Sequence, residues 1–420
     1  MLGVNFLKYT FYFDESFHDR KIKLNSNGTL NTMVDNALDS YIGVFWGAEN
    51  EKIDYIVNML TEFENKFKNQ FGLSEEKELK SEIIGKKNYR KGVATFNKTT
   101  FDFYFDLFNI IKDVKPILQM EILSKTECML RELFNNHIFC SKYNVIDKSF
   151  FYSLTKFINV YHNEELLTCL FNVSNYTSCK RLKEQLLYNF ECVLSAIGGI
   201  KRKEKEYIAI HNLYEVLSDS ILVCDSKDEF KFSYEPNFSG LCLLLQELQI
   251  SPRDVSLIID KEEKTFEAAN QFGFNSIEQI DSKTSIQIRL SDLLSGFVGR
   301  MIYSLQNDEK MVEDKINKIE DVNKTDIARK RILDSKWFNI NEKQFNLYLL
   351  IYNALIIGHE HYWTVMTTTN GDHAIMFFGL LRYFANFESF NDYSLIEPVN
   401  HAEYYNNSIL FELENFFKTF

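Results

Sequence analysis

Two runs of apolar and aromatic residues have the pattern of strands that are buried on both faces. They cover residues 9–13 and 255–259, and apolar side chains occupy both odd and even positions in each. Strands of this kind lie in the middle of a sheet that is covered on both sides. An acid directly follows each run, Asp14 after the first and Asp260 after the second. We therefore expect two central strands whose carboxyl ends carry carboxylates.

The rest of the pattern predicts an α/β chain with long helical segments. Apolar residues at helical spacing predict helices over residues 53–71, ending before Gly72, and over residues 286–305. Buried-looking runs predict further strands at residues 40–47 and 275–280. We divide the chain into a first core part (1–98), a helical insertion (99–218), a second core part (219–306), and a charged linker with a helical C-terminal region (307–420).

Composition favours a globular protein and disfavours several functions. Of the 420 residues, 45% are hydrophobic and 25% are charged. The net charge of −12 gives no long-range attraction to nucleic acid, so any such contact needs a local basic patch. One candidate patch contains Lys80, Lys86 and Lys87. A phosphate-binding glycine-rich loop is absent from the sequence, which disfavours hydrolysis of nucleoside triphosphates.

The sequence predicts a cytoplasmic protein that does not cross a membrane. Its first residues lack the features of a signal peptide, and no uninterrupted apolar stretch reaches the roughly 18 residues of a membrane span. The seven cysteines are widely spaced and form no Cys-x-x-Cys pair. We therefore expect reduced thiols and no zinc cluster.

A helix after the second strand brings a third acid to the same region. Ser291, Ser295 and Gly299 recur at four-residue spacing in the predicted helix 286–305, and Asp292 lies beside this stripe of small residues. Small residues let a helix approach its neighbour closely, which would hold Asp292 near the sheet. A surface acid in the first turns of a helix is the ordinary alternative. Carboxylates brought together at the carboxyl edge of a sheet repel one another, and a divalent cation is the usual remedy.

These motifs resemble an uncharacterised bacterial family that is marked by a Tyr-x-Asp-Glu-Ser sequence and placed in the ribonuclease H-like fold. The resemblance begins at Tyr12-Phe13-Asp14-Glu15-Ser16 and continues in Glu78-Leu79-Lys80. It ends with residues 256–260 and with residues 289–296, which are similar to the family's closing Gln-Leu-Ala-Asp-Leu segment. Phe17, Arg289 and Ser291 stand where the family usually has Gly, Gln and Ala, and none of these departures removes a carboxylate.

The resemblance implies a ribonuclease H-like sheet and a two-metal site for phosphodiester hydrolysis. Asp14, Asp260 and Asp292 would hold Mg²⁺ or Mn²⁺, and Glu78 would be a fourth catalytic acid. Glu15 would point to the opposite face of the strand. The residues expected to contact substrate are Lys80, Lys86, Lys87 and Arg289, although Arg289 has the alternative of solvating the start of its helix.

The implied partner is RNA or DNA, and such nucleases are associated with phage defence. A non-catalytic scaffold or binding module of the same fold is the competing interpretation, and the acidic net charge supports it. The C-terminal helical region is a candidate surface for a homodimer or a protein partner. His359, His361 and His373 invite a metal interpretation, but the first two lie at i and i+2, so a helix would point them in different directions.

Overall fold

The computed structural model describes residues 8–16, 21–26, 28–32, 38–134, 138–140, 148–173, 175–222, 230–231, 233–317, 332–357 and 371–418. Its strands, in chain order, are β1 (Tyr9–Ser16), β2 (Lys21–Ile22), β3 (Ser40–Glu49), β4 (Arg90–Val93), β5 (Ile117–Ser124), β6 (Ile138–Cys140), β7 (Ser220–Leu222), β8 (Phe230–Lys231), β9 (Val255–Asp260) and β10 (Ser276–Ile280).

Five of these strands form one mixed sheet, in the order β10-β9-β1-β3-β5. Neighbours β1 and β3, and then β3 and β5, are antiparallel, whereas β9 is parallel to both β1 and β10. The two strands predicted to be central are therefore adjacent and parallel. The α/β class is confirmed, and the predicted strands at 40–47 and 275–280 correspond to β3 and β10.

The helices, in chain order, are α1 (Asn50–Phe71), α2 (Lys98–Val114), α3 (Lys125–Phe134), α4 (Lys148–Tyr161), α5 (Glu164–Phe171), α6 (Tyr176–Ile197), α7 (Glu204–Ser218), α8 (Glu235–Glu247), α9 (Glu263–Ala269), α10 (Ile286–Asn317), α11 (Glu342–Leu355), α12 (Gly371–Ala385), α13 (Phe390–Ser394) and α14 (Pro398–Lys418). The first ends as predicted at Gly72, whose φ of 64° is left-handed. The predicted helix 286–305 is found and extends further, to Asn317.

Alternate residues of β1 face two different hydrophobic layers. Tyr12 packs into a layer shared with α1, α2 and α10, while Phe11 and Phe13 pack with α8 and the neighbouring strand β9. Burial on both faces explains why apolar residues occupy both parities of the run. This division also decides which face each acid at the end of β1 occupies.

The predicted helical insertion begins too early in the sequence. Strand β5, at the edge of the sheet, and nearly all of helix α2, in the layer that contains Tyr12, lie within residues 99–124. A separate hydrophobic cluster starts at Met129 and extends to Leu222, joined by Ile22 and Leu30. The part of the insertion that has its own hydrophobic cluster is therefore built mainly from residues 129–222.

The C-terminal helices pack into the core of the sheet domain. Apolar residues of α11, α12 and α14 belong to the same cluster as those of α2 and α10. A buried network reinforces this packing, because the Lys91 ammonium bonds the carboxylates of Asp308, on α10, and Asp334. The Trp337 indole N–H also donates to Asp308, at 2.9 Å. The C-terminal region is thus an integral layer of the fold.

The described residues bear on two expectations, one about membrane spans and one about reduced cysteines. None of the described helices combines the length and the apolar character that a membrane span needs. The thiols of Cys128, Cys169, Cys192 and Cys242 are free. Cys179 is disulfide-bonded, so the expectation of reduced cysteines throughout is wrong at that position.

Candidate functional site

Asp14 and Asp260 lie side by side at the carboxyl end of two parallel strands. The register pairs Phe13 of β1 with Ile259 of β9, so the next residue of each strand is an aspartate. Residues that are level in adjacent parallel strands point to the same face of the sheet. Both carboxylates therefore lie on the face that α10 covers. Each is oriented by backbone N–H groups, that of Glu15 for Asp14 and those of Lys261 and Ser282 for Asp260.

Glu15 belongs to the opposite face, as the sequence predicts. The Tyr234 hydroxyl donates to its carboxylate at 3.3 Å. Tyr234 is buried in the hydrophobic layer that also contains Phe11 and Phe13. The pleat of β1 thus separates two consecutive acids, and only Asp14 faces Asp260.

The stripe of small residues on α10 allows close contact with β1. The Ser291 hydroxyl donates to the carbonyl oxygen of Tyr12 at 3.4 Å, and the hydroxyls of Ser295 and Ser16 are 2.8 Å apart. These contacts lie on both sides of Asp292 in the sequence of the helix. The predicted proximity of Asp292 to the sheet is therefore found in the structure.

Ser81 holds the Asp292 carboxylate in place with two hydrogen bonds. Its backbone N–H donates to one carboxylate oxygen at 2.8 Å, and its hydroxyl donates to the other at 3.1 Å. Gly296 makes room for this contact, since a Cβ at that position would lie 2.2 Å from the Ser81 hydroxyl oxygen. Ser81 follows the Glu-Leu-Lys segment directly, but its role depends on a helix that is more than 200 residues away.

The three aspartates form a region of excess negative charge. Burial raises the pKa of Asp14 well above its ordinary range, and the charges of Glu15, Asp292 and Asp260 raise it further. Burial also raises the pKa of Asp292, although the bonds from Ser81 and the charges of Arg300 and Lys80 oppose this effect. A bound cation would favour the ionised form of both carboxylates.

The donor atoms of the three aspartates suit a divalent cation, although the carboxylates are spaced too widely to hold one without moving. Carboxylate oxygens are the ligands that Mg²⁺ and Mn²⁺ prefer, and all three aspartates are only partly buried. Within the described ranges, no three His, Cys, Asp or Glu side chains are grouped closely enough to hold a metal ion. The aspartates would therefore have to move closer together around an ion.

Glu78 and Lys80 pair with each other beside the aspartates. Their carboxylate and ammonium groups are 2.9 Å apart. Burial opposes the charged form of Lys80, but Glu78, Asp292 and Asp14 together raise its pKa. Lys80 is therefore a cation next to the carboxylates, while its role as a substrate contact and the role of Glu78 as a fourth catalytic acid stay predictions.

The other predicted substrate contacts differ in their surroundings. Arg289 donates to Glu64 at 2.7 Å and to the Ser282 carbonyl oxygen at 2.6 Å. These bonds occupy its guanidinium group near the start of α10, which favours the alternative of a role at the start of the helix over a substrate contact. Lys87 is exposed. The Lys86 ammonium is 4.4 Å from the centre of the Tyr303 ring and is half-buried.

Of the three histidines that invite a metal interpretation, His373 alone lies among the described residues. His373 pairs with Glu309 at 2.9 Å, and His359 and His361 lie outside the described residues.

Comparison with known proteins identified no relative. No protein-family model, no curated protein and no solved structure matches this chain.

Proposed function

We propose that this protein is a divalent-metal-dependent nuclease that hydrolyses phosphodiester bonds of RNA or DNA. One observation carries the proposal: the two adjacent parallel strands and the helix that covers them bring Asp14, Asp260 and Asp292 to one edge of the sheet. Burial raises the pKa of Asp14, and the charges of Glu15, Asp292 and Asp260 raise it further, so a bound Mg²⁺ or Mn²⁺ would stabilise its ionised form.

The topology of the sheet supports a ribonuclease H-like fold. Counted along the chain, its strands lie in the order third, second, first, fourth, fifth, with the second antiparallel to its neighbours and the last two parallel to the first. Ribonuclease H-like folds have this arrangement. The resemblance to the family with the Tyr-x-Asp-Glu-Ser motif suggests the same fold and chemistry.

The residues of the site have three different roles in the proposed reaction. Asp14, Asp260 and Asp292 would hold the cations, and such ions would activate water and stabilise the leaving oxygen. Ser81 fixes the orientation of the Asp292 carboxylate. Lys80 places a positive charge beside the aspartates, where it favours a phosphate group of the substrate.

The proposal is tested by incubating the protein with Mn²⁺ and labelled RNA, single-stranded DNA, duplex DNA and RNA–DNA hybrid. We expect cleavage of at least one substrate, and its loss in Asp14→Asn and Asp292→Asn. Asp113→Asn removes an exposed carboxylate at the end of α2 and serves as the matched control. Cleavage that survives both site substitutions contradicts the site, and no cleavage of any substrate contradicts the function.

A non-catalytic scaffold is the second candidate. The open arrangement of the aspartates within the described residues favours it. Calorimetric titration with Mn²⁺ separates the two candidates, because a scaffold that has lost the metal site shows no binding that depends on Asp14.

A further inference from the structure

Arg300 is a buried arginine on α10 with unused hydrogen-bonding capacity. Its side chain lies on the same helix as Asp292, two turns further on, and only 8% of the residue is exposed. Its Nη1 atom has no hydrogen-bond partner within the described part of the chain. The charge of Asp292 interacts favourably with this group, but a buried N–H group without a hydrogen-bond acceptor is unfavourable, so Nη1 has the properties of a site for an anion.

The surroundings direct the guanidinium group toward the carboxylate site. A Cβ on Gly296 would lie 2.6 Å from Nη1 of Arg300 and 2.2 Å from the hydroxyl oxygen of Ser81, so the two atoms are close neighbours. Ser81 in turn holds Asp292. On its other side, the centre of the guanidinium group is 5.9 Å from the centre of the Tyr89 ring.

A second cation lies near Arg300. Lys86 precedes Tyr89 by three residues, and its ammonium group packs on Tyr303, which is one turn beyond Arg300 on α10. Burial lowers the pKa of Lys86, and the positive charge of Arg300 lowers it further. Two cations that repel each other at close range are stabilised by an anion that both contact.

We propose that Arg300 and Lys86 form a subsite for a backbone phosphate of a nucleic acid strand, next to the aspartates. The planar guanidinium group can bind two phosphate oxygens at once, and the ammonium group supplies a point charge. This inference rests on the proposed function for the identity of the ligand. Binding at the subsite itself requires no metal ion.

The test measures binding without cleavage. A fluorescent single strand of about 12 nucleotides is titrated in EDTA, once with phosphodiester linkages and once with uncharged methylphosphonate linkages. The variants are Arg300→Met, Arg300→Lys and Lys86→Gln. Lys310→Gln removes an exposed positive charge from the same helix, about 15 Å along its axis from Arg300, and is the matched control.

We expect Arg300→Met to weaken binding of the phosphodiester strand by about 10- to 100-fold, because it removes charge-assisted hydrogen bonds. Lys86→Gln should weaken it less, Arg300→Lys should retain part of the affinity, and Lys310→Gln should retain all of it. The methylphosphonate strand should bind weakly to every variant. Circular dichroism verifies folding; if Arg300→Met does not fold, Arg300→Lys and Lys86→Gln decide the question.

Equal binding by wild type and the subsite variants, or equal binding of both strands, overturns the subsite. The cleavage assay in Mn²⁺ is independent of this result. A protein that loses metal-free binding in Arg300→Met but never cleaves keeps the subsite and loses the proposed nuclease function. A protein that cleaves nucleic acid, but binds the strand equally well after substitution of Arg300 or Lys86, keeps the proposed nuclease function and loses the subsite.

Discussion

Asp14 is a residue whose proposed function opposes stability. Its raised pKa means that the folded protein binds a proton more tightly than the unfolded chain. Stability contributed by the protonated form is therefore lost as the pH rises above the ordinary aspartate pKa of about 3.9. At neutral pH the buried Asp14 site is therefore less favourable for the metal-free fold than it is at low pH.

We predict that Asp14→Asn raises the melting temperature of the metal-free protein at pH 7.5, while it lowers metal-dependent cleavage by at least about 100-fold. Differential scanning calorimetry in EDTA measures the first effect and initial cleavage rates measure the second. Asp113→Asn should change neither. A lower melting temperature for Asp14→Asn would show that the carboxylate is stabilised by contacts other than a cation.

His401 is a second residue whose charge state matters, and it lies in the C-terminal layer. Its ring stacks on Tyr393 with centroids 3.9 Å apart, and its nitrogens contact the Tyr383 hydroxyl and the Tyr393 carbonyl oxygen. The carbonyl oxygen can only accept, so the ring nitrogen facing it carries the proton and the other accepts from the hydroxyl. Burial lowers the pKa of this neutral ring.

We predict that stability falls as the pH decreases through about 6.5, because the unfolded chain then takes up a proton that folded His401 resists. Urea unfolding at pH 7.5 and pH 5.5 measures this change. His401→Gln keeps a donor and an acceptor but does not titrate, so the difference between wild type and variant isolates His401. Identical pH dependence in the two proteins would exclude the effect.

At the scale of elements, the packing of α10 against the loop at Ser81 depends on one glycine. We predict that Gly296→Ala destabilises the protein by about 1–3 kcal/mol and reduces cleavage, because the added methyl displaces Ser81 from Asp292. Gly85→Ala is the matched control, since its Cβ would meet no atom within 4 Å. Urea unfolding and the cleavage assay test both variants, and equal stability of the two would contradict the close contact.

The sequence predicts the elements whose burial follows a simple pattern. Strands β1 and β9 and helix α10 are recognisable because apolar or small residues mark the faces that they bury. Strand β5 lies within the predicted helical insertion, and it contains Gln119 and Glu121, which are polar but fully buried. The Gln119 amide donates to Glu121 at 2.8 Å, a pairing that no count of apolar residues reveals.

The same limit applies to the candidate site. The sequence indicates Asp14 and Asp260 from strand ends, and Asp292 from helix spacing together with the motif resemblance, whereas the roles of Ser81 and Arg300 depend on which side chains the fold places beside them. Arg289 and Arg300 are both arginines of helix α10, so the sequence alone does not separate their roles. Only the structure shows that Arg289 is paired with Glu64 and that Nη1 of Arg300 has no such bond among the described residues.

At the scale of the whole molecule, the network around Asp308 joins α10 to the C-terminal layer. Its carboxylate accepts from Lys91, from Trp337 and from the Asp334 backbone N–H. We predict that Asp308→Ala destabilises the protein by about 3–5 kcal/mol, because it removes the acceptor of the Trp337 indole N–H and the Asp334 N–H and one of the two carboxylates that bond Lys91. Chemical unfolding measures the loss, with the exposed Glu403→Ala as control. A loss as small as that of the control would show that the network contributes little.

The separation of Asp14 and Asp292 along the sequence has a consequence for the newly made chain. The last proposed ligand, Asp292, is translated only after all the residues that separate it from the first, Asp14. At ~5–20 residues per second this interval is on the order of 10–60 s. Throughout it the nascent protein lacks a complete set of ligands, so an enzyme able to cut the cell's own nucleic acids would remain inert on the ribosome that makes it.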